Sequence, residues 1–553
     1  MPRMSRPNET EQDEKHIFMQ AEDVRAMVIE AQDSPTGLTI RRTWIDGTLD
    51  LDFLTMAGPL ALVGCHLPEE LTLRHAQIGT IDLSSTNVWG VRAEGLRTRN
   101  FEMTHARCGD KFDLDHAQID GTLQLGGTSV GSFTAYGLKV TGSFMARELY
   151  ARPGWRGGCA LHLDNVDIGG DLVLDDAMIT GLAGPAITAN SAKVGGVFSA
   201  ENAIIRGDSD ALFLLEADIG ALDLRDTVLR GALCTDGARI RSEVKLGGID
   251  AVSREADATI RMVDTTIGAG LLLTGLVRGR AGQAVSLHRT TVGASLTIRE
   301  ADIDADSGKA ALEISNCDVG SELTIRPDVL LNRGDGLELD LFSTKTVRAL
   351  GLEAEDLVSA DAFTVTVRGL SYPDAPEDTD AWLTMLRDHT FGYEAEPYQQ
   401  LAAVHRAAGH EHTARRVLIA QQDDLRHRGD PGNRLWHWFL GVTLGYGYRP
   451  SRAVIGLLVT FLLALCLVWT TNAYNGLTPA KDRPANSCSP VNRISLAADL
   501  AIPLVKLGGT PRCELANGPA GQWATGAGWV VQILGWSFAT LSVAGFTGLV
   551  RKS

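Results

Sequence analysis

Three histidines, His75, His105 and His116, each stand directly before an alanine (Ala76, Ala106, Ala117) in a recurring phrase. Equivalent positions of a repeat can stack, so these imidazoles could form a ladder able to hold a metal ion or a ligand. In outward turns they would instead be solvated and idle. His410 and His412 flank Glu411, a set with metal-ligand types, but no cysteine or further histidine follows closely. Asp113, Asp115, Asp175 and Asp176 fall inside the repeats. Carboxylates paired on adjacent coils could act as acid and base in glycoside cleavage, whereas turn carboxylates would only be solvated. Of the eight cysteines, Cys65, Cys108, Cys159, Cys234 and Cys317 are scattered singly, as small core residues would be. No Cys-x-x-Cys, phosphate loop, H-E-x-x-H or G-x-S-x-G occurs, nor a G-x-G-x-x-G after a strand. No catalytic residue, cofactor or metal is therefore predicted. The net charge of -17 argues against a general nucleic-acid partner, because phosphate binding needs concentrated cations.

The elements that carry these residues are repeats. ADIGALDLRDTVLRG (Ala217 to Gly231) returns in altered form from Val166, Ala192, Thr265, Thr290 and Cys317, and in rougher form from Ala76 and Ala106. Marker glycines Gly169, Gly195, Gly220, Gly268, Gly293 and Gly320 recur about 25 residues apart, with Arg241 standing in for one of them. Apolar residues such as Ile219, Leu224 and Leu229 are five apart, which suits neither a helix nor a simple strand. A short strand and a turn on each side of a coil satisfy this spacing. Coils stacked ~4.8 Å apart would give roughly 13 turns between residues 37 and 370, a rod of ~60 Å. The 59 glycines then mark coil corners rather than disorder, since 44% of the chain is hydrophobic.

The run ADIGA, LDLRD, TVLRG, ALCTD from Ala217 to Asp236 resembles the pentapeptide-repeat proteins and related right-handed β-solenoids. The resemblance implies a mainly β fold, a right-handed parallel β-helix. Elsewhere the five-residue frame slips, and loops such as Tyr150 to Gly158 are inserted, which favours a looser coil.

Before the coils, residues 1–14 are polar and mobile in expectation, and without the apolar core of a signal peptide the N-terminus is expected in the cytoplasm. Residues 15–36 predict an amphipathic capping helix through Ile17, Phe18, Ala21, Val24, Met27 and Val28. After the coils, 371–395 read as an acidic, Pro-rich linker with a short helix, and 396–430 as a helical hairpin with Gly409 at its break. The hairpin is expected to cap the far end of the solenoid.

Residues 453–471 and 529–550 are long and apolar enough to cross a bilayer. The segment 431–452 supplies an interfacial collar, with Trp436, Trp438, Tyr446, Tyr448, Arg449 and Arg452 as anchors. Gly441, Gly445 and Gly447 lie within it and would ease packing. Arginines before the first span, together with Arg551 and Lys552 in the tail (551–553), place both ends in the cytoplasm by the positive-inside rule. The loop 472–528 would then lie outside, where Cys488 and Cys513 could pair in an oxidising compartment. Ile494 to Leu507 is apolar but too short to span, so it lies on the interface or re-enters the membrane. This layout is similar to that of two-span cation channels, although Lys506 to Gly509 is not a potassium filter. Small-residue pairs, Gly535 with Ala539 and Ala544 with Gly548, would allow the spans or copies of the chain to pack closely as a homo-oligomer.

The succession of a solenoid, YQQLAAVHRAAGHEHTARRVLIAQQ from Tyr398, RLWHW, GYGYRPSR and two spans ending GFTGLVRK resembles bacterial membrane proteins often labelled membrane-associated oxidoreductases. That label implies redox activity at the membrane. No redox motif accompanies it here, so no catalytic residue is carried over. The expected function is a membrane-anchored cytoplasmic solenoid that binds or scaffolds protein partners. The alternatives are the oxidoreductase of the resemblance and an oligomeric channel or signalling unit.

Overall fold

The computed structural model describes residues 17–154, 157–352, 363–428, 451–479, 488–502 and 513–546. They belong to two compact units, Met1–Phe391 and Gly392–Ser553. The first is a parallel β-solenoid of about 14 turns, built as one 42-stranded sheet.

Each coil buries its aliphatic rungs against the coils on either side. Ile219, Leu224 and Leu229 are fully enclosed. Phe101, Phe112, Phe133 and Phe144 form a chain of tilted and edge-to-face rings in the core, with successive centroids 5.3–5.6 Å apart. A corner of the coil turns through a left-handed residue. The column of such residues runs from Phe53, His75, Gly95, His116 and Gly137 to Ser343 and Gly369. Gly, Asn, Asp and His adopt this conformation most readily, but Phe53, Glu216, Arg289 and Ser343 adopt it here too, so the place in the coil imposes it. The residue after the corner points inward and must be small or self-satisfying. Thr227, Thr290 and Thr344 meet this by donating their hydroxyls to carbonyls of the preceding coil, at 2.7, 2.5 and 2.6 Å. Cys65 and Cys317 take the same place, their thiols 3.6 and 3.1 Å from carbonyl oxygens.

The marker glycines form a second column. A Cβ on Gly293 would lie 2.2 Å from the Gly268 carbonyl oxygen, and one on Gly320 would lie 2.2 Å from that of Gly293. Arg241 fills the substituted marker place. Its carbonyl faces Gly268, while its side chain pairs with Asp218 at 3.2 Å and donates to the Val194 carbonyl at 2.7 Å. The slipping frame has a structural cause. Ladder partners lie 20–22 residues apart in the first coils (Phe101 with Ile81, Gln77 with Thr55) but 24–28 apart in most later ones (Val228 with Ile204, Ile168 with Val140).

The ends differ from expectation. Ile17–Gln20 is a strand, paired in parallel with Thr43–Asp46, and helix α1 (Ala21–Glu30) begins only after it. The open edge of the first rung recruits an apolar, extended segment as a partner. Ile17 and Phe18 remain 62% and 60% exposed, whereas Val24 and Val28 are enclosed. At the far end, α2 (Thr379–Asp388) is capped by Asp378, which accepts from Asp380 and Ala381 N–H at 2.7 and 3.0 Å, and buries Trp382, Met385 and Leu386. The His389 carbonyl accepts from Val365 N–H of the last coil at 2.8 Å, and Trp382 lies 5.4 Å from Tyr372. The short helix thus covers the last rung.

In the second unit, α3 (Ala395–Ala407) and α4 (Glu411–Arg428) form the predicted hairpin, broken at Gly409 with φ +81°. Tyr398 donates to buried Asp424 at 3.0 Å, and Arg428 grips the same carboxylate through two nitrogens. Next come α5 (Ser451–Ala473), α6 (Pro490–Ala501) and α7 (Pro519–Phe546). Stretches of 21 residues in α5 and 25 in α7 are apolar enough to cross a membrane. Helix α7 starts ten residues before the predicted span, so the described part of the expected loop 472–528 is largely helix and strand. Leu477–Pro479 pairs antiparallel with Cys513–Leu515, and Cys488 is bonded to Cys513.

Candidate functional site

The histidine ladder does not form. His75 and His116 share the corner column, but Gly95 lies between them, and His105 belongs to another corner. Each ring instead covers the glycine of the next coil. A Cβ on Gly95, Gly127 or Gly137 would come within 2.4, 2.4 or 2.8 Å of Nδ1 of His75, His105 or His116. A coil of 20–22 residues does not return histidine to histidine. Among the described residues, no group of three or more His, Cys, Asp or Glu side chains could hold a metal. Glu411 pairs with Arg406 at 3.6 Å and Arg415 at 3.2 Å.

The repeat aspartates make structural hydrogen bonds; Asp113 is buried, Asp115 and Asp175 are half-buried, and Asp176 is exposed as a solvated turn residue would be. Asp113 is 2% exposed, bound by Lys111 at 2.5 Å, and accepts from Asp115 N–H at 3.0 Å. Asp115 accepts from Tyr136 N–H at 2.8 Å, Asp175 from Glu201 N–H at 3.1 Å, and Asp176 from Asn202 at 2.6 Å. Asp115, Asp175 and Asp176 thus tie one coil to the next, whereas both partners of Asp113 lie in its own coil. Cys65, Cys108, Cys234 and Cys317 are buried and Cys159 half-buried. Burial pushes the Cys108 and Cys317 thiols up to about 12, which suppresses the reactive thiolate.

The sequence did not single out a cleft of about 390 Å³ on the last coils, bordered by Lys309, Glu313, Asp335, Asp340, Thr366 and Phe391. Ser286, Glu313, Asp340 and Thr366 are stacked partners on four successive strands. Glu313 accepts from Gln283 Nε2 at 3.0 Å, Ser286 Oγ at 2.8 Å and Ser315 Oγ at 2.6 Å, with His288 Nδ1 3.5 Å away. Burial opposes ionisation of Glu313, but the hydrogen bonds from Ser315, Gln283 and Ser286 outweigh it and hold the carboxyl below the usual range. Burial, with repulsion from Glu313, pushes Asp340 up. Phe391 stands 75% exposed at the rim. The cleft is acidic, with one carboxylate fixed by donors and a second pushed by burial toward its neutral form. Its signal was present in SLHRT, EISNC and DLFST, which align only once the coil length is known.

In the second unit, Ala464, Val468, Ala497, Ala501 and Val531 form the core shared by α5, α6 and α7. Gly535 meets the Ala501 carbonyl of α6, where a Cβ would lie 2.1 Å from the oxygen, so this glycine serves α6 rather than the other span. Helices α5 and α7 approach where Gly456 lies against the Phe538 ring. The predicted Cys488–Cys513 bond is present. The anchors Trp436, Trp438, Tyr446, Tyr448 and Arg449 lie outside the described residues, as do Gly441, Gly445, Gly447, Lys506 to Gly509, Gly548, Arg551 and Lys552. Arg452 falls in the first turn of α5, but its side chain is outside the description. No family model, curated protein or solved structure matches the chain.

Proposed function

We propose that this chain is a membrane-anchored β-solenoid, with its coiled unit in the cytoplasm as a binding or scaffolding module for protein partners. One observation carries the reading: an outward belt of large apolar side chains on α5 and α7. Val454, Ile455, Leu458, Val459, Leu462 and Leu463 on α5 are 39–59% exposed, and Val530, Ile533 and Trp536 on α7 are 47–65% exposed. Water penalises such a belt, and hydrocarbon does not. Arginines on the near side of the first span and Arg551 and Lys552 after the second favour a cytoplasmic solenoid. The coil is right-handed in this reading, like the solenoids it resembles, and α1 covers its first turn. The acidic cleft gives the module a place for a basic side chain of a partner, with Phe391 available for a cation–π contact.

Alkaline carbonate extraction tests the anchoring: the full chain should stay with the membrane pellet, and release into the supernatant would refute it. Protease should remove the solenoid only from inverted vesicles. Protection there, with digestion of right-side-out vesicles, would reverse the orientation.

A further inference from the structure

We infer that α6 is a re-entrant helix, entering the bilayer from the disulfide-bonded end and reaching past the middle of the hydrocarbon. The inference rests on the membrane reading of α5 and α7 and concerns a segment whose placement the sequence left open between the interface and the interior.

The heights of α5 and α7 are matched at two points. At the upper end, the Gly476 carbonyl accepts from Ala516 N–H at 2.8 Å, and a Cβ on Gly476 would lie 3.2 Å from Gly521 N. Lower down, Gly456 faces the Phe538 ring. Gly521 and Phe538 are separated by ~26 Å of helix, and Gly456 lies about as far from Ala473, so the two helices keep step. Helix α6 starts at the upper level, because Cys488, two residues before it, is bonded to Cys513 beside α7. Its other end does not stay there. The Ala501 carbonyl meets Gly535, only one turn above Phe538 and ~21 Å below Gly521. Twelve residues of helix make ~18 Å, so nearly the whole length of α6 runs along the depth axis. A helix lying in the interface would keep both ends at one level, buried by only ~5–10 Å.

The residue types agree with this course. Ala497, Ala498 and Ala501 are enclosed, and small side chains allow backbones to come close in hydrocarbon. Ile494 is 44% exposed part-way down, on a helix too short to span. Asp499 is carried to hydrocarbon depth, where a carboxyl group is tolerated when it faces polar partners.

Nitroxide labels at Val491→Cys, Ile502→Cys and Leu462→Cys, introduced singly into full-length Cys466→Ser protein in liposomes, test the placement by power-saturation depth. Leu462 on α5 reports the membrane reading itself. The expected result is Leu462 in hydrocarbon, Val491 near the headgroups and Ile502 ~16 Å deeper than Val491. If Leu462 is immersed while Val491 and Ile502 share one shallow level, the re-entrant placement is overturned and the anchoring stands. If Leu462 is in water, both fall.

Discussion

The two units of this chain bury their apolar residues by opposite rules. In the solenoid, Ile219, Leu246 and Phe133 lie inside at 0–1% exposure, and outward positions carry Asp, Glu and Arg tied across coils. Along α5 and α7, alanines fill the interior while Leu458, Leu462 and Ile533 face out at 56%, 57% and 65%. The same residue types sit on opposite sides of the two packings. In water, burial of large side chains drives folding; in hydrocarbon it gains nothing, and close contact of small residues takes over. Under the membrane placement proposed above, each unit follows the rule of its own solvent.

Removing one rung should separate the two rules most strongly. Phe133→Ala breaks the row of aromatic rings and should cost the solenoid ~4 kcal/mol in denaturant unfolding. An unchanged midpoint would mean that the row does not bear on stability. Gly293→Ala should cost ~3 kcal/mol by forcing two coils apart at the Gly268 carbonyl. A tolerated alanine would show that the column has room. Leu462→Lys should leave solenoid unfolding unchanged but disfavour insertion by about 3 kcal/mol, measured as the inserted fraction in liposomes. Equal insertion would indicate that this face of α5 does not meet lipid.

The smallest effect concerns the acidic cleft. Asp340 has a raised pKa in the folded state, so the stability linked to its neutral form is full below the unfolded value and is lost as pH rises through the folded one. Glu313 is the reverse case, stabilising above its unfolded value and losing this as pH falls through its lowered folded one. Asp340→Asn should therefore raise the melting temperature at pH 7 and lose that gain at pH 3, whereas Glu313→Gln should lower it at pH 7. Effects of the same sign at both sites would contradict the assignment.

Much of the solenoid could be read in advance because its period is written in a recurring column of tightly packed glycines: Gly169, Gly293 and Gly320 each face a carbonyl that leaves no room for a side chain, and Arg241 is an exception. Ile168 and Ile219 were recognisable as rungs for the same reason. The strand Ile17–Gln20 was not legible, because Ile17, Phe18 and Met19 fit a helical face as well as an edge strand, and only the open rung at Thr43–Asp46 decides between them. The cleft was hidden because Glu313 and Asp340 meet through a coil of 27 residues, where the first coils have 20–22. The histidine ladder failed on the same quantity. The course of α6 depends on where Gly535 falls along α7, a relation between helices that no local pattern records.

Lipid-soluble carbene photolabelling of the full chain in native membranes, mapped by mass spectrometry, tests the central contrast most directly. The account predicts adducts on Val454, Ile455, Leu458, Leu462, Val530 and Ile533, and none between residues 38 and 370. Adducts spread over the coils, or bare α5 and α7, would contradict it.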